Sequence, residues 1–176
     1  MNKEWSRANS TTTKERLDKD NKEWFYYHSL YKESRKTWAE IPYMEMAEKL
    51  KKEPTWIVGD FGCGENLLSK EITNKVHSFD YVAIDENVIA CDVSNVPLDD
   101  NTLNCAIFSL SLMGHNYLDY IREAYRTVRP YGFIFVCEPA TKWKDRENEL
   151  KEAIESVGFR CLGATKNTES LFILME

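Results

Sequence analysis

The chain has 176 residues, of which 43% are hydrophobic, 30% charged and 12% aromatic. That composition excludes collagenous and low-complexity proteins and fits one globular domain. A net charge of −6 and a pI of about 5.2 argue against a stand-alone, high-affinity nucleic-acid binder, whose footprint is normally basic. They still permit an enzyme that meets nucleic acid through a local patch or a partner. At this length roughly 70% of the unfolded surface is buried on folding, enough for one core. The longest clean apolar run, Phe133-Ile134-Phe135-Val136-Cys137, is far short of the ~20 residues that span a bilayer. Residues 1–10 are polar and hold no apolar signal segment, so a soluble cytosolic or nuclear protein is expected. The five cysteines, Cys63, Cys91, Cys105, Cys137 and Cys161, are dispersed and form no C-x-x-C pair. They read as reduced, mostly buried thiols rather than disulfides or a metal site.

Residues 1–22 carry six Lys/Arg against four Asp/Glu and the run Ser10-Thr11-Thr12-Thr13. They read as a flexible polar arm. Residues 23–176 are expected to form the folded domain, with 23–53 as a helical annex and 54–176 as the core. In the annex, Trp24, Tyr27, Tyr31 and Trp38 follow the helical period. Pro42 opens a second helix, which Lys51-Lys52 close and Pro54 stops.

The core alternates strands and helices. Trp56-Ile57-Val58 leads to Asp60 and the turn Phe61-Gly62-Cys63-Gly64, followed by Leu67, Leu68 and Ile72 at helical spacing. Further strands are expected at 76–81, 88–91, 105–110 and 133–138. The link between the first two of these is too short for a full crossover helix. A helix is expected over 117–128, a turn at Pro130-Tyr131-Gly132, and a charged helix ending at Gly158. The last strand pair is expected at 159–162 and 170–175. This order predicts an α/β, Rossmann-like fold: a single, mostly parallel sheet with helices on both faces and an N-terminal helical annex.

A strand ending in Gly-x-Gly before a helix suits a nucleotide-like ligand, because glycine permits close backbone approach and the helix start offers free N–H groups. The third glycine of the dinucleotide fingerprint is absent, since Leu67 stands there. No P-loop motif occurs either. What remains is an adenosine-bearing ligand without phosphates, which S-adenosylmethionine fits. Asp80, 18 residues after Gly62, is placed to hold ribose hydroxyls. Asp92, closing the third core strand, is placed to accept the adenine amine. In isolation either acid reads sooner as an ordinary solvated strand-end residue; together with the glycine turn the two acids favour the ligand.

The segments Asp60-Phe61-Gly62-Cys63-Gly64, Val76-His77-Ser78-Phe79-Asp80, Ala90-Cys91-Asp92-Val93, Val96-Pro97-Leu98 and Phe108-Ser109-Leu110-Ser111-Leu112-Met113-Gly114 resemble the nucleomethylin-type ribosomal RNA-processing methyltransferases. Upstream, Tyr27-His28 and Trp38 match that family's helical lead-in. The resemblance covers about residues 23–175. It implies a class I methyltransferase that uses S-adenosylmethionine to methylate N1 of an adenine in large-subunit ribosomal RNA. By that resemblance, His28 would touch the methionine end of the cofactor and Gly62 would pass beneath it. Asp80 would hold the ribose, Asp92 and Val93 would frame the adenine, and Ser109 would line the pocket near the sulfonium. The family commonly has Met at the position of Val93 and Cys at that of Ser109. The resemblance also implies an RNA substrate, a ribosome-assembly or helicase partner, and a nucleolar setting in a eukaryote.

Adenine N1 carries a free lone pair, so methylation there requires alignment rather than a dedicated base, and no catalytic base is assigned. The Asp/Asn-Pro-Pro-Tyr/Phe motif of exocyclic-amine methylation is absent, as is a Pro-Cys pair. Three other readings stay open on the sequence: methylation of DNA adenine; methylation of a small molecule or a protein on the same scaffold; and a regulatory S-adenosylmethionine-binding module without turnover. His28 on an aromatic helix is also compatible with an ordinary packed histidine, and His77 and His115 read as structural.

Overall fold

The computed structural model describes residues 2–167 and 170–176, without the side chains of residues 2 and 3. Its centre is a seven-stranded sheet of order β3-β2-β1-β4-β5-β7-β6. The strands are β1 (Ile57–Phe61), β2 (Lys75–Asp80), β3 (Val88–Ala90), β4 (Leu103–Ser109), β5 (Val128–Pro139), β6 (Cys161–Lys166) and β7 (Ser170–Met175). β1 to β5 pair in parallel, and β7 runs antiparallel to both β5 and β6. The chain steps from β1 to β2 and β3 on one side, then returns to place β4 on the other. The crevice at that reversal, outside the strand C-termini, is where open α/β sheets bind ligands.

Central strands must be apolar on both sides, and β4 is buried at every residue except Ser109. Alternation divides its side chains between two cores. Ala106 and Phe108 join Phe61, Phe79, Ile121 and Ile154 on one face. Cys105 and Ile107 join Val58, Met46, Leu50 and Leu68 on the other. α6 (Tyr117–Thr127) and α7 (Glu147–Glu155) supply the first face. α4 (Pro42–Leu50) and the four-residue α5 (Leu68–Glu71) supply the second. α4 starts on Pro42, whose missing N–H costs nothing in the first helical turn. No helix joins β2 to β3, as the short link requires.

Most strand ends shift by a residue or two from the sequence reading, and two differences have a clear physical cause. Pro130-Tyr131-Gly132 does not separate α6 from a strand at 133. It lies inside β5, where the register jumps from Leu103↔Val128 to Cys105↔Phe133. Pro130 has no N–H to give a ladder, so the chain bulges around it and leaves Tyr131 87% exposed at φ +60°. β6 begins at Cys161 rather than 159. Phe159 is drawn into the core against Tyr125, edge to face at 5.2 Å.

The larger correction concerns the N-terminus. The expected flexible arm, apart from Met1, which lies outside the described residues, forms α1 (Asn2–Trp5) and α2 (Ser10–Lys19). Trp5 and Leu17 are buried with Trp24 of α3 (Lys22–Arg35) and Val82. Asn9 caps α2 by accepting from the Thr11 N–H at 3.1 Å. Ser10 is fully buried; its N–H donates to Asn116 Oδ1 at 2.9 Å, and its hydroxyl donates to Ser94 Oγ at 3.3 Å. The segment is polar because specific polar partners receive it. It lies across the C-terminal ends of the parallel strands, as a roof over the crevice.

Candidate active site

The crevice is organised by the turn after β1. The Gly62 and Cys63 N–H groups both donate to the Phe79 carbonyl, at 2.8 and 2.9 Å, which ties the turn to the end of β2. Gly62 sits at φ +85°, and a Cβ there would lie 2.5 Å from Ser111 Cβ. Gly64 sits at φ +55°, where a Cβ would lie 2.7 Å from His28 Cε1. Both glycines are therefore required twice, for left-handed backbone and for the side chains that press on them.

Asp80 closes β2 and is 6% exposed. Its Oδ2 accepts the Gly64 N–H at 2.8 Å and its Oδ1 accepts the Trp24 indole N–H at 2.7 Å. Burial pushes its carboxyl upward in pKa, and these donors oppose the shift. Asp60 has no such help. Burial and the nearby Asp80 carboxylate raise it to about 7, and its Oδ1 is buried with no hydrogen-bond partner. His28 lies on Trp24, ring centroids 3.9 Å apart. Burial, reinforced by Arg35, lowers its pKa to about 4, so the imidazole is neutral at pH 7. Its Nδ1 and the Ser111 hydroxyl are likewise buried and unpartnered.

Asp60, His28 and Ser111 thus bring three unsatisfied polar atoms to one cavity of about 90 Å³. Buried polar atoms are almost always paired, so their convergence marks a place for a polar ligand. The donor set is acceptor-rich, with two carboxylates and a neutral imidazole, and suits a ligand with a cationic end. Cys63 also lines the cavity, but burial and the carboxylates of Asp80, Asp60 and Asp85 push its thiol well up in pKa. It is no thiolate nucleophile.

A family model described as a hypothetical methyltransferase matches residues 1–176. The chain belongs to this methyltransferase family. Among curated relatives of the methyltransferase, a ribosomal RNA-processing protein 8 from Arabidopsis thaliana is 40% identical over 134 residues, 74% of this chain and 47% of that protein. A 25S rRNA (adenine(645)-N(1))-methyltransferase from Schizosaccharomyces pombe is 34% identical over 156 residues, 80% of this chain and 49% of its own length. The chain therefore spans about half the length of these two relatives. The solved structure of a TehB-like SAM-dependent methyltransferase from Corynebacterium glutamicum superposes with a TM-score of 0.70 at 12% identity, covering 89% of this chain and 98% of that one. The methyltransferase thus has the Rossmann-like fold expected of it.

Of the six cofactor positions expected from the methyltransferase's sequence, His28, Gly62, Asp80, Val93 and Ser109 all line the one cavity. Asp92 stands apart. Its Oδ1 caps the following turn, accepting from the Ser94 N–H and hydroxyl at 2.9 and 2.8 Å, and its Oδ2 accepts from Thr11 of α2 at 3.1 Å. The sequence reading left out Asp60 and Ser111 as ligand contacts and took Trp24, Tyr27, Tyr31 and Trp38 chiefly as core, with base stacking by one of them left open. Trp24 is core at 2% exposure, yet its indole N–H is spent on Asp80. Tyr27 and Tyr31 line the cavity. The position of Asp60, two residues before Gly62, was the available signal for it. Nothing in the sequence marked Trp5 and Thr13, which reach the cavity from the roof.

Proposed function

We propose that this chain is an S-adenosylmethionine-dependent methyltransferase that modifies N1 of an adenine in ribosomal RNA. The observation that carries the cofactor assignment is the convergence of Asp60 Oδ1, His28 Nδ1 and Ser111 Oγ, buried and unpartnered, beside the glycine turn. The names of the Arabidopsis and fission-yeast relatives support the rRNA and adenine-N1 parts of the reading. They also support a place in ribosome assembly. Among the described residues, no helix is long and apolar enough to cross a membrane.

The residues present fit the cofactor. When bound, it supplies an electrophilic methyl on a sulfonium. Asp60 is placed to face its ammonium group, and Asp80 to accept from the ribose hydroxyls. Val93, 5% exposed, offers an apolar face for the adenine. Ser109 and Leu110 close the wall where β4 ends. Asp92 would contribute only if Thr11 and α2 release its carboxylate. A cavity of about 90 Å³ is well below the ~300 Å³ at which small-molecule sites begin, so binding requires the roof of α1, α2 and Trp24 to yield.

For the transfer itself, the chain has to align the acceptor nitrogen and the methyl group. Orientation of that kind is worth up to ~7–11 kcal/mol. No protein group needs to take a proton from N1. The acidic wall favours a transition state in which positive charge spreads toward the base.

The test is transfer of labelled methyl from S-adenosylmethionine to total RNA, DNA and a small-molecule extract, with products resolved by nucleoside mass spectrometry. Label in 1-methyladenosine from ribosomal RNA is expected. Binding of S-adenosylhomocysteine with label only in DNA or a metabolite would sink the rRNA assignment and keep the cofactor.

A further inference from the structure

Beside the cofactor cavity lies a second and larger one, of about 940 Å³. Tyr27, Tyr31, Leu110 and Met113 line both, so the two share a wall. We propose that this second cavity seats the acceptor nucleotide, with the base against Trp38 and Tyr31 and a flanking phosphate against Arg7 and Lys142. The inference rests on the methyltransferase reading above and assigns where its substrate binds.

Four observations carry it. The volume lies within the range of sites that enclose small molecules, and the shared wall puts an occupant next to the cofactor. Its aromatic surface is available: Trp38 and Tyr31 meet edge to face at 5.7 Å, Trp38 is only half-buried, and Leu30 beside them is 46% exposed. Such a surface accepts any base by stacking. Trp24, by contrast, is buried and committed to Asp80 and cannot serve.

The charge is also of the right sign. Glu138 lines the cavity but is 1% exposed, and its carboxylate is consumed internally. Its Oε1 accepts the Leu112 N–H at 3.0 Å and its Oε2 accepts from Lys142 Nζ at 2.6 Å. Lys142 Nζ also donates to the Leu112 carbonyl at 2.6 Å. Two of its three N–H bonds are thus used to fix the ammonium at the cavity wall, and one is left. Arg7 is exposed and forms no ion pair among the described residues. Lys142 and Glu138 balance each other, so Arg7 supplies the uncompensated positive charge at this aromatic slot, and phosphate contacts of this kind position a nucleic acid. The acceptor must be single-stranded or flipped, because N1 is engaged in a duplex.

The experiment is fluorescence anisotropy with a short labelled oligoadenylate and protein saturated with S-adenosylhomocysteine, alongside calorimetry of S-adenosylhomocysteine alone. Trp38→Ala is expected to weaken oligoadenylate at least tenfold, and Trp38→Phe, which keeps a stacking face, to recover most of that loss. Arg7→Ala is expected to weaken it several-fold and to lower the slope of log affinity against log salt by about one. Neither is expected to change S-adenosylhomocysteine affinity. Tyr26→Ala, an exposed aromatic of α3 outside both cavities, is expected to change neither ligand. Wild-type oligoadenylate affinity in both Trp38→Ala and Arg7→Ala would overturn the proposal. So would a wild-type protein that binds S-adenosylhomocysteine but not the oligonucleotide. A Trp38→Phe variant as weak as Trp38→Ala would remove the stacking role. Failure of the wild type to bind S-adenosylhomocysteine would instead overturn the cofactor assignment beneath it.

Discussion

The two cavities that share Tyr27, Tyr31, Leu110 and Met113 differ in every other respect. The first is small, roofed and walled by Asp60 and Asp80, two buried carboxylates with one unmatched oxygen between them. The second is about ten times larger and carries the exposed Arg7 beside Lys142 and Glu138, which neutralise each other. Opposite local charge in two cavities that share lining residues suits a cationic donor on one side of a wall and an anionic acceptor on the other. A net charge of −6 averages over this arrangement, and so misleads as a guide to partners. The physical quantity that matters at each site is the uncompensated charge within it.

The largest expected effect tests whether the cavities are separable. Asp80→Ala removes the acceptor of the Trp24 and Gly64 donors and of any ribose hydroxyl. Hydrogen bonds to a charged group are worth about 1.5–3 kcal/mol each, so losing two predicts S-adenosylhomocysteine binding weaker by on the order of a hundredfold or more. Calorimetry reads this directly. Oligoadenylate affinity measured without cofactor should stay within about threefold of wild type. Equal losses for both ligands would mean that the cavities act as one.

Asp60 sharpens the comparison through pH. Its apo pKa is raised to about 7 by burial and by Asp80, and a bound ammonium group would lower it. Cofactor binding then expels a proton below pH 7, so affinity should rise several-fold from pH 6 to pH 8 and level off above. In the free protein the sign is opposite. A carboxyl harder to ionise when folded costs stability as pH climbs from about 4 to 7, and the full cost, about 4 kcal/mol, is present above 7. Asp60→Asn should therefore raise Tm at pH 8 but not near pH 4, weaken S-adenosylmethionine about tenfold at pH 8, and flatten its pH dependence. An unchanged pH slope in the variant would show that another group titrates.

What the sequence disclosed about these sites follows a physical line. Elements with local signals were legible: the helix opened by Pro42, the continuous apolar run of β4, the glycine turn, and Asp80 at the ribose-binding distance from it. Five of six expected cofactor positions converge because strand order carries them to one crevice. What was illegible depends on tertiary partners. Ser10 and Thr13 are polar residues that become buried, and Asn116 and Ser94, far along the chain, help make Ser10's burial tolerable. No local pattern encodes that, so a roof reads as a loose arm. Asp92 illustrates the same point, since its carboxylate is claimed by Thr11 from that roof. The bulge in β5 was visible as Pro-x-Gly, but that signal is shared by turns and bulges, and only the pairing with β4 decides between them.

The smallest expected effect concerns how the roof is latched. The Trp24 indole N–H occupies Asp80 Oδ1, an oxygen that a ribose hydroxyl would use in the proposed complex. Free and bound states thus compete for one acceptor. Trp24→Phe keeps a large apolar side chain at a site only 2% exposed but removes the competing donor. In the free protein Asp80 loses a charge-assisted hydrogen bond, which should lower stability by about 1.5–3 kcal/mol and lower Tm accordingly. In the complex a ribose hydroxyl would replace it, so part of that loss is recovered on binding. The variant should therefore bind S-adenosylhomocysteine a few-fold more tightly than wild type while being less stable without it. Calorimetry paired with thermal melts separates the two effects. Weaker binding together with lower stability would mean that the indole supports the bound state and does not compete with it.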